Sequence, residues 1–254
     1  MVTIVLPTHN EAAIIRVNLD RVLAYLRQEI REPWEVIVSD NGSTDATRDI
    51  VREVAAREPH IQLLAIPETG KGRAVLTAWT HAVRQLSAIG YRPAPARASG
   101  LSAFVFMDAD LATDLKHLPE LIAAIRSGAD IAVGSRYAPR SSTQRGAFRR
   151  LTSQCYRTLL RMRFGLTITD PPCGFKAVNA RAVQDIVPLV RDTKWFFDTE
   201  LLVRAERAGL RIAEVPITWR EPRRGRSFAK VLRIILHDLH AMQKLHRELF
   251  NTRC

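Results

Sequence analysis

The sequence predicts an α/β fold in which a mostly parallel, Rossmann-like sheet is flanked by helices. Up to about residue 140, short apolar segments alternate with amphipathic segments of helical spacing, which is typical of parallel βαβ units. Polar residues follow four of the apolar segments, and open α/β sheets bind ligands at the carboxyl ends of their strands. With 254 residues, 46% of them hydrophobic, the chain can form one large domain of this class.

The first half of the chain contains the alternating elements. An amphipathic helix is predicted to open at Asn10 or Glu11, because apolar residues then recur at helical spacing. A second helix is predicted to be capped by Ser43 or Thr44, with Asp45 in its first turn. In order, the predicted strands are 3–7, 34–40, 61–67, 101–110 and 129–137, and the predicted helices are 10–26, 43–57, 70–86 and 117–127.

The second half departs from this alternation. Residues 91–100, with two prolines and a glycine, are predicted to be a flexible surface loop. The last segment, 227–250, has apolar residues at helical spacing but is too polar to span a membrane. We therefore predict a main domain at 1–226 and, at 227–254, an amphipathic helix that contacts a membrane surface or a second subunit. Within the second half of the main domain the sequence predicts a basic helix at 147–163, a loop at 167–179, a helix at 195–209 and a strand at 211–221.

The net charge of +12 predicts anionic partners, for which nucleic acid, a phosphate-rich membrane face and a nucleotide substrate all qualify. Arginine is concentrated in residues 145–163 and 220–233, and these segments contain few aromatic residues for base stacking. Nucleic-acid binding is therefore disfavoured. Three scattered cysteines are too few for a disulfide framework or a zinc cluster.

Two carboxylates follow the most apolar of the predicted strands. In "FVFMDADLAT" (104–113), Asp108 and Asp110 come directly after a strand that is expected to be buried on both faces. Side chains at i and i+2 of an extended segment point the same way, so the two charges need a cation or a proton between them. A divalent metal is the obvious candidate, and the alternative is that the acids cap the following helix.

The polar segments occur in an order that resembles the family 2 glycosyltransferases of the GT-A fold, and within them the polyprenyl-phosphate branch. The resemblance extends over nearly the whole chain. Its motifs are "PTHNEA" (7–12), "SDNGSTD" (39–45), "ETGKGRA" (68–74), "DADLAT" (108–113), "GSRY" (134–137), "DPPCGFK" (170–176), "WFFDTEL" (195–201) and "EVPITWRE" (214–221).

The resemblance implies a site for a nucleotide sugar. Asp40 would read the base, Lys71 would approach the diphosphate, and Asp108 with Asp110 would hold Mg²⁺ or Mn²⁺. The sequence departs from the common Asp-Asp-Gly-Ser pattern at Asn41, which puts in doubt a contact that needs two acids there. The full set of nucleotide-sugar residues implied is Pro7, Thr8, Asn10, Glu11, Asp40, Lys71, Asp108 and Ala109.

The resemblance also implies a phosphate acceptor. Arg136 matches the family position associated with a lipid phosphate, and Arg149 or Arg150 would supply a second contact, unless they form a solvated basic face. Asp198, rather than Glu200, is expected to touch the donor sugar or orient the nucleophile, and the alternative is a buried acid at a helix start. The expected catalytic residues are Asp110, Asp198 and Arg136, and Arg223, Arg224 and Arg226 resemble a mobile loop that meets phosphates or anionic lipid headgroups.

These features together predict an inverting, metal-dependent transfer of a hexose from a nucleotide diphosphate sugar to a polyprenyl or dolichyl phosphate. UDP-glucose is the first expected donor, and GDP-mannose and a soluble acceptor, such as a metabolite or a protein side chain, are the alternatives. Because the chain start lacks signal-peptide features, we expect a cytoplasmic protein that lies peripherally on the inner membrane face. The expected partners are an anionic membrane surface or a second copy of the chain, but no nucleic acid.

Overall fold

A computed structural model describes residues 1–88, 90, 102–144, 147–220 and 228–250, with the backbone alone at 144, 147–151 and 228–232. The predicted loop at 91–100 and the arginines Arg223, Arg224 and Arg226 lie outside the described residues.

A seven-stranded sheet forms the centre of the molecule. Its strands are β1 (Val2–Thr8), β2 (Trp34–Asn41), β3 (Ile61–Ile66), β4 (Ala103–Met107), β5 (Ile131–Ser135), β7 (Phe175–Val178) and β8 (Ile212–Pro216), in the spatial order β3-β2-β1-β4-β7-β5-β8. All neighbours pair in parallel except β7, which is antiparallel to both β4 and β5. The strands β6 (Ser142–Gln144) and β9 (Thr218–Arg220) form a separate parallel pair.

The helices connect these strands and cover the sheet. They are α1 (Ile15–Glu29), α2 (Thr47–Ala55), α3 (Lys71–Ala88), α4 (Leu118–Arg126), α5 (Ala147–Phe164), α6 (Ala180–Asp185), α7 (Phe197–Arg207) and α8 (Phe228–Phe250), with short 3₁₀ turns at Leu115–His117 and Val187–Leu189. Trp79 of α3 packs edge-on against Phe106 of β4, and Phe106 in turn contacts Phe197 of α7. The core therefore lies directly beneath the end of β4, where Asp108 and Asp110 follow.

The prediction of a loop at 167–179 was wrong, because this segment contains β7 in the middle of the sheet. Two prolines, a glycine and a lysine hide the strand from a reading of apolar pattern. The strand is nevertheless buried along its whole length, Lys176 included. A lysine is acceptable there only because Asp198 of α7 pairs with it, which the local sequence does not reveal.

The predicted starts of α1 and α2 were also wrong by several residues. α1 begins at Ile15, because Asn10 has a positive φ of 56° and residues 10–12 bond to the loop after β2 instead of starting a helix. α2 begins at Thr47, and the residue before it, Ala46, makes no side-chain cap. Neither Ser43 nor Thr44 caps α2, since both bond to Asn10.

The helix α8 packs on the rest of the chain along one side. Met242 and Leu245 are buried in the core, and Arg204 of α7 donates to Glu248 at 2.9 Å. Another side of α8 carries exposed leucine and isoleucine side chains. They are Ile235, Leu236 and Leu239. The division at residue 226 stays a prediction. In the part of the chain that the structure describes, no helix has the length and apolar character needed to cross a membrane.

Candidate active site

The four polar loops of the first half meet at the carboxyl ends of β1, β2, β3 and β4. The amide N–H of Asn10, after β1, donates to the Ser43 hydroxyl after β2 at 2.9 Å. The amide N–H of Gly70, after β3, donates to the Asn41 side chain at 2.9 Å. Lys71 then reaches Asp108, after β4, with 2.6 Å between Nζ and Oδ1. The convergence expected from parallel strands is therefore present.

Asp108 lies in a narrow position between Lys71 and Gly174. Its Oδ1 pairs with the Lys71 ammonium, and its backbone N–H donates to the Gly174 carbonyl at 3.1 Å. A Cβ atom on Gly174 would lie 2.1 Å from Asp108 Oδ2, so any larger residue would force the Asp108 side chain to move. The glycine that precedes β7 thus allows the carboxylate to lie against the backbone of the antiparallel strand.

Asp110 lies beyond Asp108 in an exposed turn. Its Oδ1 accepts a hydrogen bond from the Ala112 N–H at 3.0 Å, across Leu111 at a positive φ of 52°. Neither Asp108 nor Asp110 caps the following helical turn, because Asp114 does so by accepting from Lys116 N–H at 3.1 Å. The alternative that the two acids are helix caps is therefore wrong.

Glu11 shares the electrostatic field of these acids. Partial burial raises the pKa of the Glu11 carboxyl above its ordinary value, and the negative charges of Asp110, Asp45 and Asp108 raise it further. Within the described residues, no three acidic, histidine or cysteine side chains come together as a complete metal-ligand set. Asp108 and Asp110 would thus provide only part of a coordination shell.

Asp40, at the end of β2, is fully buried and only half satisfied. Its Oδ1 accepts from the Arg48 guanidinium and from the Ser43 N–H at 3.2 Å. Its Oδ2 has no hydrogen-bond partner among the described residues, and neither does the buried hydroxyl of Thr8 beside it on β1. Buried acceptors normally have partners, so Asp40 Oδ2 lacks the hydrogen bond that its burial would ordinarily require.

The departure at Asn41 has a structural reason. The Asn41 amide donates to the Thr8 carbonyl at 2.7 Å through Nδ2 and accepts from Gly70 N–H through Oδ1. It therefore links the ends of β1 and β3 across β2. An aspartate could accept from Gly70, but its oxygens would only repel the Thr8 carbonyl. Asn41 thus links the loops that follow β1 and β3.

Asp198 lies at the first turn of α7, fully buried, and pairs with Lys176 of β7 at 2.6 Å. Burial raises the pKa of the Asp198 carboxyl, while the charges of Lys176 and Lys71 oppose that rise. The Lys176 ammonium also donates to the Cys173 carbonyl. This environment favours the alternative of a buried helix-start acid, and contact of Asp198 with a sugar stays a prediction. Glu200 accepts hydrogen bonds from the backbone N–H groups of residues 191 and 192 and so stabilises the segment that precedes α7.

Arg136, after β5, forms a fork-shaped ion pair with Asp170. Its Nε and Nη2 donate to the two carboxylate oxygens at 2.6 and 2.7 Å, and its backbone N–H donates at 2.9 Å. The guanidinium also lies 5.5 Å from the centre of the Trp219 ring. Burial alone lowers the pKa of Arg136, but the bonds to Asp170 outweigh it and hold the pKa above its ordinary value.

Arg149 and Arg150 lie in α5, where the structure describes their backbone and not their side chains. Pro7 lies near the end of β1. The Ala109 carbonyl accepts a hydrogen bond from the buried Asn18 amide at 2.8 Å. Sequence reasoning missed the pairing roles of Arg48, Asp170, Lys176 and Trp219. Asp170 and Lys176 lie in the quoted "DPPCGFK" motif, which is the one signal that could have found them.

A buried acid on α8 predicts how stability depends on pH. Burial raises the pKa of Asp238 to about 6, with Asp192 and Asp198 adding to the rise and His237 opposing it. Between about pH 4 and 6 the native state therefore binds more protons than the unfolded chain, so stability falls as pH rises through this window. We expect Asp238→Asn to raise the free energy of unfolding by about 1–2 kcal/mol at neutral pH and hardly at all at acid pH.

The measurement is urea unfolding of Asp238→Asn and wild type across this pH range. Asp49→Asn, at an exposed acid of α2, is the control and should change little at any pH. An equal gain for Asp238→Asn at both ends of the range would contradict the assigned pKa.

Comparison with known proteins identifies the family. The sequence model of glycosyl transferase family 2 matches residues 3–187, which include β1 through β7 and all four polar loops. The chain belongs to glycosyl transferase family 2. The resemblance inferred from the motifs is thereby confirmed.

The relatives of this chain include proteins named for glucosyl transfer and for mannosyl transfer. The chain is 36% identical to glycosyltransferase AglD of Haloferax volcanii, over 87% of this chain and 33% of AglD. It is 32% identical to a dolichyl-phosphate beta-glucosyltransferase of Trichomonas vaginalis, over 86% of this chain and 64% of the relative. It is 30% identical to the polyprenol monophosphomannose synthase of Mycolicibacterium smegmatis, over 86% of this chain and 77% of that protein. The chain thus spans between a third and about two thirds of the first two relatives.

Solved structures confirm the GT-A fold of this family 2 glycosyltransferase. A glucosyl-3-phosphoglycerate synthase from Mycobacterium tuberculosis, solved with Mn²⁺, UDP and glucosyl-3-phosphoglycerate, superposes with a TM-score of 0.65 at 20% identity. The match covers 95% of this chain and 79% of that one. A mannosyl-3-phosphoglycerate synthase from Rubrobacter xylanophilus superposes with a TM-score of 0.68 at 17% identity, over 100% of this chain and 76% of that one.

Proposed function

We propose that this family 2 glycosyltransferase transfers a hexose from a nucleotide diphosphate sugar to a polyprenyl phosphate. The observation that carries the proposal is the meeting of three features at one edge of the sheet: the Asp108 and Asp110 pair, the half-satisfied Asp40, and the lysine at the start of α3. Relatives whose names state dolichyl or polyprenyl phosphate as the acceptor support the acceptor class.

The donor's base would bind at Asp40. The free Oδ2 suits the imide N–H of uracil, or the N1–H of guanine, and the Thr8 hydroxyl offers a second polar contact. Arg48 holds the other carboxylate oxygen, so the side chain is oriented before a ligand arrives. UDP-glucose is our first donor. Relatives named for glucosyl and for mannosyl transfer occur at similar identity, so GDP-mannose is the alternative.

Mg²⁺ or Mn²⁺ fits the residues present. These ions take oxygen ligands, and Mg²⁺ in such enzymes is held by one or two carboxylates together with substrate phosphates. Asp108 and Asp110 provide two carboxylates in a site that lacks a complete protein ligand set among the described residues. When bound, the ion would neutralise charge on the departing nucleotide diphosphate.

A phosphate acceptor removes the need for a strong general base. A phosphate monoester oxygen is already anionic near neutral pH, so correct placement supplies most of what its attack on the anomeric carbon requires. This agrees with the state of Asp198, which is engaged by Lys176. Arg136 would orient the acceptor phosphate with the guanidinium N–H groups that Asp170 does not use. A single in-line displacement then inverts the configuration of the sugar.

A donor screen tests the proposed function. Release of nucleoside diphosphate from UDP-glucose, GDP-mannose and other sugar nucleotides would be measured with and without polyprenyl phosphate. We expect release to depend on the lipid phosphate and to be fastest with UDP-glucose. If release requires a water-soluble acceptor instead, that acceptor class would replace the lipid phosphate in the proposal. If no sugar nucleotide releases nucleoside diphosphate, transfer from a nucleotide sugar would be refuted.

Arg136→Ala should weaken the acceptor step by about 2–4 kcal/mol, the range for losing a desolvated charge-assisted contact. Slow hydrolysis of the sugar nucleotide by water should largely remain, because the donor contacts are elsewhere. The measurement compares transfer with hydrolysis for each variant.

The matched control removes the partner as well. Arg136→Ala leaves Asp170 buried without its cation, which destabilises the fold whatever the role of Arg136. The double change Arg136→Ala with Asp170→Ala should recover stability but not transfer. Recovery of transfer in the double variant would show that Arg136 only neutralises Asp170.

We further propose that α8 contacts an anionic membrane surface with its exposed apolar residues. Leu239→Asp should reduce binding to anionic liposomes severalfold without unfolding the domain, because Leu239 is 44% exposed and its loss opens no core cavity. His240→Asp, on the neighbouring polar side of the helix, is the control. Flotation at low and high salt measures the effect. Equal flotation of both variants would assign the exposed residues a different partner.

A further inference from the structure

The Lys71 ammonium is held on Asp108 by more than charge. Its Nζ lies 2.6 Å from Asp108 Oδ1, and the side chain is only 11% exposed. The rings of Phe106 and Trp195 lie 5.2 and 5.3 Å away, within the range of cation–π attraction. The ammonium therefore lies in a site formed by the Asp108 carboxylate and the two aromatic rings.

The backbone that carries Lys71 is also tightly held. Gly70 has a φ of 147°, and its N–H is bound by Asn41. The N–H groups of Gly72 and Arg73 donate to the carbonyls of residues 194 and 193, both at 2.9 Å. A Cβ atom on Gly72 would lie 2.7 Å from the Phe197 side chain. Only the flexible stem of Lys71 is therefore available for movement.

Lys71 occupies the Oδ1 atom of Asp108, and the Gly174 backbone lies close to Oδ2. The Asp108 side chain is otherwise 40% exposed, so a metal ion that reaches the carboxylate from solvent meets the ammonium at Oδ1. The acids Asp110 and Glu11 make the surroundings negative, which favours keeping some cation at Asp108. A divalent ion and the Lys71 ammonium would compete for the same oxygen.

We propose that Lys71 serves as a built-in counter-ion that occupies Asp108 until a donor diphosphate draws its ammonium away, so that metal and nucleotide bind together. This inference rests on the proposed function, since it needs Asp108 as a metal ligand. The donor diphosphate would give the Lys71 ammonium a new anionic partner when its ion pair with Asp108 breaks. Metal binding without a nucleotide is therefore weak by construction.

The test measures free Mn²⁺ by electron paramagnetic resonance during titration of the protein, with and without UDP. Without UDP, Lys71→Gln should bind Mn²⁺ about tenfold or more tightly than wild type, the scale on which one close charge changes occupancy. Lys71→Arg keeps the charge and should resemble wild type. Lys116→Gln, at a half-exposed lysine paired with Asp114, controls for net charge and should also resemble wild type.

With UDP present, the advantage of Lys71→Gln should disappear, because wild type regains the ammonium as a diphosphate contact. Lys71→Met fills the same space between the two rings and serves as a second neutral variant if Lys71→Gln does not fold. Neutral variants that bind Mn²⁺ no more tightly than wild type without UDP, while wild type binds it with UDP, would overturn the counter-ion role alone. No binding of Mn²⁺ by wild type even with UDP would overturn the metal assignment and this inference with it.

Discussion

Asp110→Asn is expected to lower sugar transfer by roughly 100- to 1,000-fold, equivalent to several kcal/mol of transition-state stabilisation, while the fold stays intact. The change removes one negative charge without altering volume. The asparagine Oδ1 can still accept from Ala112 N–H, so the turn that Asp110 supports is preserved. Asp110 is also exposed, so asparagine at this position stays in contact with solvent. The loss should therefore appear in transfer and not in the melting temperature.

Asp114→Asn is the matched control, because it makes the same chemical change four residues later. Asp114 caps a 3₁₀ turn, and asparagine caps as well as aspartate does. Its transfer rate should stay within a few fold of wild type. Full turnover by metal-stripped wild type in EDTA, or equal rates for the two variants, would refute the assignment of Asp108 and Asp110 as metal ligands.

Lys176→Met is expected to cost about 3–5 kcal/mol of unfolding free energy, the range for breaking a buried pair by removing one partner. Lys176 and Asp198 are both buried, and the pair joins β7 to α7. With the lysine gone, the Asp198 carboxyl must remain charged without a partner or take up a proton. Urea unfolding at neutral pH measures the loss.

The double variant Lys176→Met with Asp198→Leu separates the two possible roles of Asp198. Replacing both members of a buried pair by apolar residues is often close to neutral, so stability should largely return. If Asp198 also touches the donor sugar or orients the nucleophile, transfer stays low in this stable protein. If Asp198 serves only as the partner of Lys176, transfer returns with stability. A double variant as unstable as Lys176→Met would contradict the account of the pair.

The folding pattern of the first half could be predicted well from sequence, because its signals are local. β4 is a continuous apolar run, β1 and β2 have apolar centres, and the amphipathic helices between the strands favour parallel pairing. Parallel strands place their carboxyl ends on one edge, so the polar loops, Asp40 and Asp108 among them, had to lie near one another. The order of these loops was enough to identify the family, which the match to residues 3–187 confirms.

The starts of the helices α1 and α2 and the antiparallel strand β7 could not be predicted in the same way. Asn10 looked like a helix start, but its bonds to residues 43–45 hold it at a positive φ. β7 looked like a loop, since two prolines and a glycine come just before it and its lysine is a poor strand residue outside its tertiary setting. In both places a contact across the fold outweighed the local preference of the chain.

By itself, the sequence identified the residues that we propose carry the chemistry: the acids after β4, the acid after β2, the lysine of α3 and the arginine after β5. Only the tertiary structure decided how their charges are paired. Lys71 lies on Asp108, Lys176 on Asp198 and Asp170 on Arg136. The last two pairs join residues 22 and 34 positions apart. Coulomb attraction strengthens when groups lose contact with water, and a linear pattern of residues does not say which groups are buried together.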